Sequence, residues 1–250
     1  MPQPDPAAPQ AAPKAAPEAA RPAASLRPRD AATMIVLDRR GRGGPKVLMG
    51  RRNARLAFMP GKFVFPGGRI ELGDRSMPVA GALSDHAETM LSRRITRPPH
   101  HLGRALALAA IRETYEETGI MLGTTEYGPP EEVPDGWEAF QRHGVLPDLE
   151  ALHVVARAIT PPKRVRRFDT RFFAIDRTCV AAEEPGRVSE DTELTELAWV
   201  RLDAARKLDL PYITRAILDE LEVQIAVDFA PYRQIPFHFE RYGRREREFL

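Results

Sequence analysis

Apolar residues form short runs separated by turn residues along much of the chain. The runs that begin at Thr33 and Lys46 flank a glycine-rich turn at 41–44, which predicts strands at 33–37 and 46–49. Further strands are predicted at 63–65, 152–159, 170–175 and 197–200. Helices are predicted at 79–94, 104–118, 136–142 and 210–221.

Strands and helices follow one another without a regular βαβ alternation. This order favours an α/β (α+β) sandwich built around a mixed β-sheet. Hydrophobic residues make up 43% of the chain, which is enough for a sizeable core. We expect a single domain over 29–250, with no second domain and no internal repeat.

Residues 1–28 differ in composition from the rest of the chain. They are mostly alanine and proline with scattered charge, and they contain no aromatic residue. Frequent prolines prevent a helix, and the segment offers nothing to pack into a core. We expect a disordered tail here, for which a role as a partner-binding proline motif is the alternative.

Charge and cysteine content narrow the classes of partner. The net charge of +2 indicates neither nucleic acid nor membrane as a partner. No run approaches the roughly 18–20 apolar residues that span a bilayer, and the N-terminus lacks an apolar signal core. Cys179 is the single cysteine, so an internal disulfide and a thiolate zinc site are excluded. These features favour a cytoplasmic protein.

The helix predicted at 104–118 has one strongly acidic face. At about 100° per residue, Glu113, Glu116 and Glu117 fall within one arc of roughly 100°. Carboxylates this close repel one another and weaken the helix. A hard divalent cation with oxygen ligands would compensate, which makes Mg²⁺ (or Mn²⁺) the expected cofactor.

A glycine turn lies upstream of this helix. Gly67 and Gly68 follow the strand predicted at 63–65, and glycines allow the backbone to approach a ligand closely. Together the two stretches resemble the signature of the Nudix hydrolases, which act on nucleoside diphosphates linked to another group. The matching positions are Gly68, Asp74, Arg112, Glu113, Glu116, Glu117, Gly119 and Ile120.

Two departures from the signature carry information. Asp74 stands where the family usually has glutamate, and 37 residues separate it from Arg112 where seven are expected. A signature with a long insertion resembles the coenzyme A diphosphatase branch of the family. Segments 56–68, 161–162 and 166–173 are similar to that branch as well, and the whole resemblance covers roughly residues 31–225.

The resemblance implies a fold, an activity and a substrate class. It implies a mixed sheet between helices and hydrolysis of a diphosphate linkage in a small nucleoside diphosphate derivative. Coenzyme A or an acyl-CoA would give 3′,5′-ADP and a 4′-phosphopantetheine. NADH, ADP-ribose and dinucleoside polyphosphates remain alternative substrates, a non-catalytic nucleotide-sensing module is the rival function, and a homodimer is left open.

Roles for individual residues follow from the resemblance. It implies metal ligands in Glu113, Glu116, Glu117 and the carbonyl of Gly68. Arg112 is expected to orient these glutamates by pairing with Glu116 or by reaching back to Asp74. The general base is sought in the acidic loop before Trp199, where Glu193 is the candidate; Glu113 and Glu116 remain alternatives.

Substrate binding is assigned to the glycine turn and to arginines. The candidates are Arg52, Arg55, Gly67, Gly68 and Arg167. A wider set could hold the 3′-phosphate of coenzyme A, namely Arg51, Arg52, Arg55, Arg164, Arg166, Arg167 and Arg171. The insertion, at about 75–103, is expected to act either as a lid or specificity wall or as a surface elaboration.

Overall fold

A computed structural model describes residues 27–250 except 42 and 165. The predicted tail therefore lies almost entirely outside the described residues. Within the described part, no helix combines the length and apolar character needed to cross a membrane.

A nine-stranded mixed sheet forms the centre of the fold. Its main path runs β11-β10-β6-β7-β1-β2-β3, while β4 pairs with β1 and β9 pairs with β2. The strands are β1 (Arg29–Asp38), β2 (Lys46–Arg52), β3 (Phe63–Val64), β4 (Gly67–Arg69), β6 (His153–Ile159), β7 (Phe168–Asp176), β9 (Leu194–Arg201), β10 (Pro236–Arg241) and β11 (Arg244–Phe249). A separate antiparallel pair joins β5 (Ile120–Leu122) to β8 (Val180–Glu183).

Helices cover both faces of this sheet. They are α1 (Asp85–Ser92), α2 (Leu102–Thr118), α3 (Glu138–Arg142), α4 (Leu202–Ala205) and α5 (Tyr212–Ala226). Side chains of β1 alternate between the faces: Met34 and Val36 pack with α2, and Ile35 and Leu37 pack with α5. The predicted mixed sheet between helices is confirmed.

β1 positions the glycine turn. One edge of β1 pairs in parallel with β7 along its length, and the other edge pairs first with β4 and then with β2. In this register Gly68 lies opposite Ala32 and Gly67 opposite Thr33. The turn is thus held by a central strand and not by a free loop.

The predicted elements are largely confirmed, with different ends. Helix α2 starts two residues earlier than predicted and ends at Gly119, whose φ of 81° is the left-handed conformation that glycine favours. α1 is shorter than the predicted 79–94, because the Ser84 side chain accepts a hydrogen bond from the Ala87 amide and caps the helix there. The predictions included neither β4, β5 and β8 nor the C-terminal hairpin β10–β11.

The insertion packs against the C-terminal hairpin. Met90 of α1 lies in a small apolar cluster with Ile235, Phe237 and Leu250. Arg94 forms an ion pair with Glu248 on β11. The insertion is therefore fixed to the sheet edge that lies farthest from β4 along the main path of strands.

Candidate active site

The acidic face of α2 meets the glycine turn. A run of small and apolar residues at 105–111 is buried, which brings α2 against β1 and β4. At the end of this helix Glu117 is 9% exposed, whereas the Glu113 and Glu116 side chains are 17% and 41% exposed. The three carboxylates therefore differ in their access to water.

Gly67 and Gly68 are held against these carboxylates. A Cβ atom at Gly68 would lie 2.2 Å from Glu113 Oε1, so any side chain there would displace the glutamate. The amide of Gly67 donates a hydrogen bond to Glu117 Oε2 at 3.2 Å. Gly67 has a φ of 156°, and its Cβ would lie 2.4 Å from the Ala32 carbonyl oxygen. Both positions require glycine, because a Cβ atom would collide with β1 at Gly67 and with Glu113 at Gly68.

Arg112 ties the two halves of the signature together. Its guanidinium is buried and donates to Asp74 Oδ1 at 2.9 Å, to Asp74 Oδ2 at 3.2 Å and to the Arg69 carbonyl at 2.9 Å. Nη1 contacts Glu116 at 2.9 Å and Glu113 at 3.3 Å. Both predicted contacts, to Asp74 and to Glu116, are present. Burial alone would lower the pKa of Arg112, but Asp74 and the two glutamates raise it, so the side chain stays charged.

Negative charge at the turn is only partly neutralised by Arg112. Burial raises the pKa of Glu113 to about 7, against the opposing charge of Arg112. Burial also raises the pKa of Glu117, and the charges of Glu193 and Glu113 add to the effect. Carboxylates whose ionised forms are disfavoured in this way are suited to hold a cation.

The residues fit a divalent cation by chemistry, although the side chains do not enclose one as they stand. Throughout 27–250, positions 42 and 165 aside, no group of three His, Cys, Asp or Glu side chains is arranged around a common point for a metal. Glu113 and Glu116 turn toward Arg112, and Glu117 accepts from Gly67. Carboxylate and backbone oxygens are nevertheless the donors that Mg²⁺ and Mn²⁺ prefer.

Glu193 and Arg52 form an ion pair at the opposite side of the turn. Arg52 Nη1 lies 2.6 Å from Glu193 Oε1, and Arg52 Nε donates to the Phe58 carbonyl at 3.0 Å. The pair connects the last residue of β2 to the residue just before β9. The backbone amide of Asn53 also donates to the Glu193 carbonyl, which reinforces this connection. Both side chains face the same cavity as Glu113.

The cavity beside the turn has a volume of about 500 Å³. It lies on the face of the sheet that α5 partly covers. One end is lined by Arg52, Gly67, Gly68, Glu113 and Glu193. The other end is lined by Tyr212, Ile213, Thr214, His238, Glu240, Arg245 and Arg247.

The predicted substrate-binding arginines differ in whether they line the cavity. Of the predicted set, Arg52 and Arg166 line the cavity, whereas Arg55 and Arg167 do not. Arg55 is exposed beside Asp191, and Arg167 donates to the Thr160 carbonyl. Arg171 is fully buried in ion pairs with Asp30 and Asp169, so it is unavailable to a phosphate.

The insertion does not line the cavity in this structure, so its expected role as a lid or specificity wall stays a prediction beside the alternative of a surface elaboration. No residue of 75–103 lines the cavity, because α1 packs beyond β6 against the C-terminal hairpin. The wall comes instead from β10, β11 and the first turn of α5. Sequence reasoning missed these residues, although the alternating charges and aromatics of 236–249 could have indicated the two strands.

Comparisons with known proteins agree with the fold and the signature. No family model matches the chain. The human protein named acyl-coenzyme A diphosphatase NUDT19 is 26% identical over 203 residues, which cover 62% of this chain and 53% of the human protein. The Xenopus laevis protein of the same name is 28% identical over 201 residues, with 62% and 52% covered. The chain thus spans about half the length of the curated relatives it matches.

A solved structure extends the comparison to most of the chain. The crystal structure of a NUDIX hydrolase from Alicyclobacillus acidocaldarius superposes with a TM-score of 0.58 at 26% sequence identity. The match covers 80% of this chain and 96% of that protein. Its extent accords with the mixed sheet between helices. The chain is therefore similar in fold to a Nudix hydrolase, and similar in sequence to the acyl-coenzyme A diphosphatases over about half of their length.

Proposed function

We propose that the chain is a metal-dependent diphosphohydrolase that cleaves a diphosphate linkage in a small nucleoside diphosphate derivative. One observation carries the proposal. Glu113 is packed against Gly68, and Glu117 accepts from the amide of Gly67, at one end of a cavity of about 500 Å³. This arrangement combines oxygen donors for a cation with backbone that approaches a ligand closely.

Mg²⁺ or Mn²⁺ would be held by Glu113, Glu116, Glu117 and the carbonyl of Gly68. When bound, the cation would supply neutralisation of the charge on the diphosphate and on the departing phosphate. Arg112 touches Asp74, Glu113 and Glu116, so its proposed role is to orient the glutamates.

Glu193 is the proposed general base. It lines the cavity beside Glu113 but lies just before β9 and not on the acidic face of α2, so it is not one of the proposed metal ligands. In the reaction, the water oxygen bonds to phosphorus and a proton passes to the Glu193 carboxylate. The bond from phosphorus to the bridging oxygen breaks, and that oxygen leaves with the electron pair. The ion pair with Arg52 holds the Glu193 carboxylate in position.

Coenzyme A or an acyl-CoA is the proposed substrate. Support comes from the names of the similar vertebrate proteins, both acyl-coenzyme A diphosphatases. Arg166 is exposed on the cavity rim without an ion pair among the described residues, and this leaves it available to the 3′-phosphate.

A substrate panel tests the proposal. Coenzyme A, a short acyl-CoA, NADH, ADP-ribose and a dinucleoside polyphosphate are incubated with the purified chain and Mg²⁺, and products are identified by mass. We expect cleavage to 3′,5′-ADP and a phosphopantetheine, with loss of cleavage when the cation is chelated. Absence of hydrolysis of the whole panel by the folded protein would show that the proposed activity is wrong.

A further inference from the structure

The far end of the cavity is not used by the proposed diphosphate chemistry. Glu240 on β10 and Arg245 on β11 line it and are paired directly across the two strands. Tyr212 from the first turn of α5 lies beside them, with its ring centroid 3.8 Å from the guanidinium carbon of Arg245. Among residues that the structure describes, neither the Glu240 nor the Arg245 side chain has a hydrogen bond or an ion pair.

The two ends of the cavity are well separated. Gly68 on β4 and Glu240 on β10 are four strand steps apart, through β1, β7 and β6. At about 4.8 Å per step the two strands are roughly 19 Å apart. A diphosphate group is much shorter than this span. If a substrate whose diphosphate lies at Gly68 also reaches the far end, it does so with another of its parts.

The chemistry of the far end favours a planar group. Arg245 is stacked on Tyr212, so one flat face of its guanidinium is ordered and the other is left for a ligand. Nucleobases stack on such faces as well as on aromatic rings. Directly opposing residues on paired strands have Cβ atoms about 5 Å apart, so the Glu240 carboxylate lies within reach of the edge of a stacked base.

Other groups fit this end less well. An apolar chain would surround the Arg245 guanidinium and the Glu240 carboxylate without giving either a partner. A phosphate would be attracted by Arg245 but repelled by Glu240, which lies directly opposite Arg245 on the paired strand and has no partner of its own in the described part of the chain. An ionised carboxylate accepts hydrogen bonds and donates none, so it favours a base whose edge carries an amino group.

We propose that Tyr212, Arg245 and Glu240 bind the nucleobase of the substrate and select adenine over hypoxanthine. These bases carry an amino group and a carbonyl oxygen, respectively, at the same ring position. The inference rests on the proposed function for the identity of the substrate as a nucleotide. It assigns recognition of the base to the C-terminal hairpin, outside the Nudix signature.

Equilibrium binding of nucleoside monophosphates tests the stacking. Affinities of AMP and IMP for the full chain are measured by calorimetry with Mg²⁺ present. Arg245→Ala and Tyr212→Ala are expected to weaken AMP binding by about tenfold or more, the effect of removing one stacking partner. Arg244→Ala is the matched control, since Arg244 is its exposed neighbour and does not line the cavity. Equal affinities for Arg245→Ala and Arg244→Ala would overturn the proposal.

Glu240→Gln tests the hydrogen bond. The wild-type chain is expected to prefer AMP over IMP, and the variant to lose about tenfold of that preference, because a hydrogen bond to a charged group is lost. The glutamine amide can also donate to the carbonyl of hypoxanthine. An unchanged AMP/IMP ratio in a folded variant would overturn the assignment of Glu240.

The kcat/KM ratio for adenine and hypoxanthine dinucleotides separates this inference from the proposed function. Hydrolysis with a ratio that does not respond to Glu240→Gln would overturn the base site alone. Preferential AMP binding that does respond, without hydrolysis of any substrate, would support the base site and refute the proposed activity. Neither outcome depends on folding defects, since Tyr212, Glu240 and Arg245 are not part of the buried core.

Discussion

The insertion and the C-terminal hairpin have opposite relations to the active site. The insertion interrupts the signature itself, yet none of residues 75–103 lines the cavity. The hairpin begins more than a hundred residues after α2, yet Glu240 and Arg245 line the cavity's far end. The two regions also touch each other, through Met90 and the Arg94–Glu248 pair. Nearness to a catalytic motif in sequence is thus a poor guide to nearness to substrate.

The largest loss of activity is expected from changes in α2, which belongs to neither the insertion nor the hairpin. Glu117→Gln and Glu113→Gln each remove a proposed ligand charge while leaving the insertion and the hairpin intact, so kcat/KM should fall about 100-fold or more. Steady-state hydrolysis of the best substrate measures this. Glu126→Gln, an exposed glutamate beyond α2, should retain full activity. Near-normal activity in both α2 variants would mean that the chemistry lies elsewhere.

Arg112→Ala tests the buried link between the insertion and α2. Asp74 directly precedes the insertion and would be left buried without its partner, a loss of about 3–5 kcal/mol of unfolding free energy. Urea unfolding measures the change. The control Arg75→Ala removes an exposed neighbour and should change stability by about 0.5 kcal/mol at most. Equal stabilities of the two variants would show that the Asp74–Arg112 ion pair does not stabilise the fold.

Met90→Ala tests whether the insertion stabilises the fold without affecting substrate selection. It removes apolar contacts between the insertion and residues Ile235, Phe237 and Leu250, and it should destabilise the chain by about 2 kcal/mol. The kcat/KM ratio between two substrates should nevertheless stay unchanged. Arg245→Ala should show the converse, an altered ratio with unaltered stability. A shifted ratio in Met90→Ala would instead support a role of the insertion in substrate selection.

The smallest effect is expected on stability, from a polar cluster around Glu184 that lies outside both the insertion and the hairpin. Glu184 accepts from the Tyr115 hydroxyl at 2.6 Å, contacts Arg187 at 3.0 Å and His143 at 2.9 Å. The hydrogen bond from Tyr115, followed by that from Arg187, lowers the pKa of Glu184 to about 2. The folded-state pKa is depressed, so the stabilisation is complete above the ordinary value of 4.5 and disappears as pH falls through about 2.

Glu184→Gln should therefore destabilise the chain at pH 7 by about 1 kcal/mol, a modest value because solvent screens a partly exposed group. Urea unfolding of wild type and variant at pH 7, 4 and 3 measures the difference. The gap should narrow as the pH falls. A gap of constant size would show that packing, and not ionisation, accounts for the effect.

The contact of Arg112 with Glu116 could be predicted from the sequence, because the two residues are four apart on one helix. The approach of Gly68 to Glu113 could not be predicted from local spacing, since these residues are 45 positions apart; the resemblance to the Nudix signature led to it. The far end could not be predicted in this way. It depends on β10 pairing with β6, a contact between segments about 80 residues apart that no local pattern encodes.

The positions of the arginines relative to the cavity could not be predicted from composition for a related physical reason. Arg166 and Arg167 are adjacent, yet the former lines the cavity and the latter bonds to Thr160. Arg171 lies on the strand just beyond them and is buried among aspartates. Which face an arginine occupies depends on the register of β7 against β1 and β6, and composition carries no information about register.

The Asp74–Arg112 pair has a consequence for how this chain can change in length. The two halves of the signature are fixed to each other by that buried pair and by the pairing of β4 with β1, without help from the covalent segment between them. A loop whose ends are already anchored becomes only about 0.6 kcal/mol less favourable with each doubling of its length. The exposed turn at 96–100 can thus lengthen or receive a foreign domain while the chemistry persists, whereas Met77, Leu83 and Leu91 of the same segment are buried in the core and have to stay. That turn is the natural place to open the chain in a circular permutant.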